Sequence, residues 1–81
     1  MSASEQKAQV PPARYLMDLK DGEQAVIRAN GDRKSTEMGL FPGARVVMFR
    51  NRKSEQALVI GAGDARFLVS RAIAKMVELE G

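Results

Sequence analysis

The chain contains no cysteine and no histidine. The first absence excludes disulfides, thiolate zinc clusters and a thiol nucleophile, and it suits a reducing compartment. The second removes the commonest general base and the commonest transition-metal ligand. Aromatic content is only 5%, confined to Tyr15, Phe41, Phe49 and Phe67. The longest apolar run, Ala57-Leu58-Val59-Ile60-Gly61-Ala62, is far short of the roughly 20 residues that cross a bilayer. The N-terminus lacks the basic-then-apolar order of a secretory leader. The expectation is therefore a cytoplasmic protein that does not insert into a membrane. At 81 residues the chain has room for one domain with a thin core and no large cleft. Its 44% hydrophobic and 28% charged residues are those of a folded domain.

What is present is punctuation. Glu37-Met38-Gly39-Leu40-Phe41-Pro42-Gly43 reads as a short helix ending in a tight turn. Gly39 suits a positive-φ stop, and Pro42-Gly43 suits the centre of a type II turn. Leu40 and Phe41 sit between these marks and can anchor the corner in a core. Ala44 to Arg50 follows as a β-branched, aromatic strand. Upstream, residues 1–13 read as a mobile tail ending in the extended pair Pro11-Pro12. Tyr15 to Leu19 is a short apolar cluster, either one helical turn or an extended segment, closed by the turn signal Asp21-Gly22. Glu23 to Ala29 alternates as a strand. Asn30-Gly31-Asp32 breaks it, either as a hairpin turn or as the lead into a helix over Arg33–Met38 capped by Asp32.

Downstream of Arg50, a polar loop runs from Asn51 to Glu55. Gln56–Ile60 reads as a strand, Gly61-Ala62-Gly63-Asp64 as a bend, and Ala65–Val69 as a strand with Phe67 and Val69 on one face. Ser70 caps a single turn over residues 71–74, and Lys75–Leu79 closes the sheet with Met76 shielded. About five short strands with two or three helical turns make an all-β chain, a small barrel or sandwich whose closure would remove open sheet edges.

No constellation of nucleophile, base and orienting group is assembled by the spacing, so the chain reads as a non-enzyme. Gly61-Ala62-Gly63 begins like a dinucleotide fingerprint, but position 66 is Arg and a strand follows. The carboxylate pairs Asp18/Asp21 and Glu78/Glu80 read as solvated surface, and Met17, Met38, Met48 and Met76 as core filling. No metal site or cofactor is expected. Net charge is +3, and Arg45, Arg50, Arg52 and Lys53 fall together with no acid among them. That cluster is either a solvated strand edge and loop or an electrostatic patch for a partner.

Leu16-x-x-Leu19-x-x-Gly22, Ala25-x-Ile27, and Lys34 to Ala44 with Val46 resemble the FeoA family in order and spacing. Leu58-x-Ile60-x-Ala62 and Phe67-x-Val69 with Ile73-Ala74 extend that resemblance over roughly Arg14 to Leu79, within a domain expected over residues 14–81. It implies an SH3-like barrel of the kind also found at the C-terminus of DtxR-type iron-dependent repressors. It also implies a cytosolic accessory of ferrous iron transport that docks on FeoB, a permease with a GTP-binding domain, and modulates iron uptake. Lys34-Ser35 departs from the family's usual Arg-Leu and weakens the apolar face of the short helix. Candidate partner contacts are Phe41, which is equally suited to a core, and Arg50, Arg52 and Lys53. The alternative reading is a small basic barrel that binds RNA or DNA, for which Phe49 would be the stacking residue.

Overall fold

The computed structural model describes residues 14–80. The tail expected over residues 1–13 lies outside the described residues. Six strands form one antiparallel sheet in the order β1-β6-β2-β3-β4-β5. They are β1 (Arg14–Tyr15), β2 (Gln24–Asn30), β3 (Arg45–Arg50), β4 (Ala57–Ala62), β5 (Ala65–Ser70) and β6 (Val77–Leu79). A 3₁₀ turn at Leu16–Asp18 and two short helices, α1 (Arg33–Met38) and α2 (Arg71–Ala74), complete the fold. The sixth strand is the two-residue β1, too short to carry a period in the sequence.

The sheet curls because β2 serves two partners. Its first half pairs with β3 and its second half with β6, with a register shift between Ile27 and Ala29. A second shift falls between Met48 and Arg50 of β3. Such irregularities bend a strand and let a small sheet roll. Rolling brings one face of each strand inward. Ile27, Val46, Met48, Leu58, Ile60, Val69, Val77 and Leu79 form the core, sealed by Leu16, Leu19, Leu40 and Ala74. Among the described residues the hydrogen bonding does not close the barrel: β1 and β5 are the two edges. A barrel without edges was expected; instead α2 packs against both β5 and the 3₁₀ turn across the seam.

Local punctuation works as the sequence reading expects. The Asp32 carboxylate accepts from Ser35 N at 2.8 Å and caps α1. Gly39 stops the helix at φ 133°. Ala44 N donates to Phe41 O at 2.9 Å across Pro42-Gly43, with Gly43 at φ 93°, the type II arrangement. Ser70 Oγ accepts from Ile73 N and caps α2. Other expectations are corrected. Asn30 is not the start of a hairpin: it ends β2, and its side chain brackets α1 to the corner. Its Nδ2 donates to Ser35 Oγ and Leu40 O, both at 2.9 Å. This bracket also explains Ser35, the polar residue buried in α1. Gly61 and Ala62 belong to β4, so the β4–β5 turn is only Gly63-Asp64. Met48 is in the core and Met17 packs against it, but Met38 and Met76 are 54% and 45% exposed. Met76 precedes β6 and leans on Gly31 instead of turning inward.

Candidate functional site

The sequence-derived contacts fall at the two ends of β3. Phe41 precedes the strand on the type II corner, and Arg50, Arg52 and Lys53 lie at its far end and in the loop beyond it. Five residue steps at about 3.3 Å separate the two ends of the strand, so these residues do not form one small site.

At the near end, Leu40 enters the core while its neighbour Phe41 stays 51% exposed. The division follows from the corner. Gly39 and the Pro42-Gly43 turn reverse the chain within four residues, so successive side chains point to opposite sides. Phe41 is therefore an aromatic presented to solvent by a rigid turn, and the core-anchor alternative fails for it.

At the far end, the basic cluster is largely paired. Arg50 makes two hydrogen bonds to the Glu55 carboxylate, at 2.9 and 2.7 Å. Arg52 pairs with Asp21, thirty-one residues away. These contacts, strongest through the guanidinium hydrogen bonds, hold the Asp21 and Glu55 carboxyls below their ordinary values. The expectation of a cationic run free of acid holds along the sequence and not in space. Arg45 and Lys53 are exposed and carry no ion pair among the described residues.

Two residues that the sequence reading passed over organise this loop. Asn51 Nδ2 donates to Met17 O at 2.9 Å and to Leu19 O at 2.7 Å, and Asn51 N donates to Asp21 Oδ1 at 2.8 Å. Arg71, from α2, donates through Nε to Glu55 O at 2.7 Å and through its second nitrogen to Asn51 Oδ1 at 2.9 Å and to Arg52 O. The loop is thereby a fixed platform. Nothing local marks Asn51 or Arg71, because their partners lie sixteen to thirty-four residues away.

Phe49 is 43% exposed on the outer face of the sheet. The Arg66 guanidinium lies over its ring, 4.1 Å from the centroid. A stacking base would have to displace that cation, which counts against the nucleic-acid reading. Among the described residues no group of three or more Asp or Glu side chains is placed to hold a metal ion. No helix among them is long and apolar enough to cross a membrane.

A family model described as the FeoA domain matches residues 14–81. The fold is similar to the crystal structure of an iron uptake regulatory protein, FeoA, with a TM-score of 0.74 at 21% identity, covering 85% of this chain and 96% of that one. It is similar to FeoA of Stenotrophomonas maltophilia complexed with zinc, with a TM-score of 0.76 at 25% identity, covering 84% and 91%. That protein is described as a prokaryotic SH3 domain protein with a suggested role as a ferrous iron transport activating factor. A manganese-dependent transcriptional repressor shares the fold, with a TM-score of 0.74 at 20% identity, over 90% of this chain but 45% of the repressor. No curated protein matches the chain.

Proposed function

The chain belongs to the FeoA family of small SH3-like domains associated with ferrous iron transport, and from that premise we propose that it is a non-enzymatic cytosolic accessory that docks on a FeoB-type GTP-binding permease and modulates iron uptake. The observation that carries this reading is the family match across residues 14–81. The surface supports it chemically. Phe41 is a rigid exposed aromatic, the class of side chain that anchors interfaces, and preorganisation keeps the entropy cost of docking low. The pinned loop adds Lys53, a cation without a partner among the described residues.

Titration calorimetry against the purified permease, in GDP and in a GTP analogue, tests the proposal. Saturable binding that weakens in Phe41→Ala or Lys53→Glu supports docking and locates it. Arg50 and Arg52 are poorer probes, because reversing either one also releases a carboxylate partner and disturbs the loop. Absence of binding in both nucleotide states would overturn the two-body reading.

A further inference from the structure

We propose that the free edge of β5 is a docking site for one extended peptide strand with apolar side chains and an acidic flank, contributed by the protein's partner. This rests on the docking reading above for the identity of the partner, and on the backbone of β5 for the site.

The register settles which backbone groups are available. Arg71 N donates to Gln56 O, so residues 56 and 71 form a hydrogen-bonded pair. Antiparallel pairs alternate between hydrogen-bonded and non-hydrogen-bonded. Counting back along the pairs Ala57↔Ser70, Leu58↔Val69, Val59↔Leu68, Ile60↔Phe67 and Gly61↔Arg66, the bonded residues of β5 are Val69 and Phe67. The N–H and C=O of Leu68 and Arg66 therefore point away from β4, and no strand pairs with that side among the described residues. An exposed row of donors and acceptors at a sheet edge is a template for strand addition.

The side chains around this edge favour a partner over bulk water. Leu68 is 70% exposed, and Met38 faces the same groove from α1. The groove has a volume of about 300 Å³ and is lined by Ser35, Met38, Leu40, Phe67, Leu68 and Ile73. That lies at the lower end of the roughly 300–1,000 Å³ of small-molecule pockets and suits the side chains of a strand. Because α1 and α2 both contribute to its walls, a single strand fits beside β5 where a second whole sheet would meet the helices.

Charge selects the flank. Lys34 lines the groove and is in no ion pair among the described residues, whereas the Arg66 guanidinium is turned back over the Phe49 ring. The nearby acid, Asp32, is occupied in capping α1. An acidic residue beside the apolar core of the peptide would meet Lys34.

The test uses the full chain labelled with ¹⁵N, its amide exchange read alone, with the purified permease, and with a synthetic heptapeptide of alternating Val and Thr bounded by Asp. Bound strand should slow exchange at Leu68 and Arg66 by about tenfold or more, because each new ladder bond must open first. Leu68→Pro should abolish binding, since it removes the outward N–H and leaves the β4 ladder intact, as prolines on edge strands do. Leu68→Thr keeps the N–H and should retain most of the affinity. Should Leu68→Pro fail to fold, Lys34→Glu, which should weaken binding of the acidic flank, and the exchange data on the unaltered chain decide. A permease complex with Leu68 unprotected would overturn this site and leave the docking reading standing. If the permease does not bind at all, the docking reading fails, and the heptapeptide decides the edge: perturbation at Leu68 supports it, none overturns it. Protection that grows with the chain's own concentration would assign the edge to a second copy and overturn the proposal.

Discussion

Phe49 covers Gly61 so closely that a Cβ added to Gly61 would stand 2.5 Å from Phe49 Cε2 and 3.2 Å from Val47 Cγ1. The two residues are on neighbouring strands, and the glycine is what lets the ring lie flat on the outer face of the sheet and receive Arg66.

Gly61→Ala is accordingly expected to destabilise the domain by about 1 kcal/mol, net of the entropic gain that replacing a strand glycine brings. Phe49→Ala in the same background should recover part of the loss. A double-mutant cycle by urea unfolding checks the coupling, and additive effects would show that the ring moves aside freely.

Leu40 and Phe41 are adjacent and should separate stability from binding. Leu40→Ala removes a buried side chain and is expected to cost about 2–5 kcal/mol, a large share of what so small a domain has. Phe41→Ala should stay within about 0.5 kcal/mol of the parent, as exposed substitutions do. Thermal unfolding of the two variants measures the contrast.

Asn51→Ala should loosen the loop. It removes the donor shared by the carbonyls of Met17 and Leu19 and the acceptor of Arg71. The expected cost is about 1–3 kcal/mol, the range for leaving partly buried polar groups unpaired. Hydrogen exchange should rise at the 3₁₀ turn and over residues 51–55, while β3 and β4 stay protected.

The acid limb of stability should follow carboxylates alone, because the chain has no histidine. Asp21 and Asp32 are held below the usual 3.8 and Glu55 below the usual 4.5, each chiefly by a hydrogen bond: from Arg52, Ser35 N and Arg50 respectively. A carboxyl lowered in the folded state contributes stability that is present above its unfolded value and lost as pH falls through the folded one. The advantage of the parent over an Asp21→Asn/Glu55→Gln variant should be constant at neutral pH, shrink once pH drops below 4.5, and vanish at lower pH. The Asp21 and Glu55 side chains are 39% and 42% exposed, so high salt should reduce the difference.

Much of this architecture was legible because its signals are local. Asp32, Gly39, Pro42-Gly43 and Ser70 each act on backbone groups within four residues, so their chemistry could be read from position alone. The alternation in β2 and β5 gave their inward faces, Ala25 with Ile27 and Phe67 with Val69, and the order of these signals carried the family resemblance. The candidate site was legible only as a set of residue types. Arg52 looked free because Asp21 is distant in sequence, and Phe41 could have turned either way at its corner.

By itself, then, the sequence determined the caps, turns and apolar stripes, and with them the all-β class, since these depend on φ preferences and period-two burial; its SH3-like form was implied by the family resemblance. Tertiary structure alone decided the pairing of β2 with both β3 and β6, the neutralisation of the basic loop, the outward turn of Met38 and Met76, and the edge left open at β5. Each of these depends on which distant groups meet once the sheet rolls, and no short-range preference of the chain encodes that.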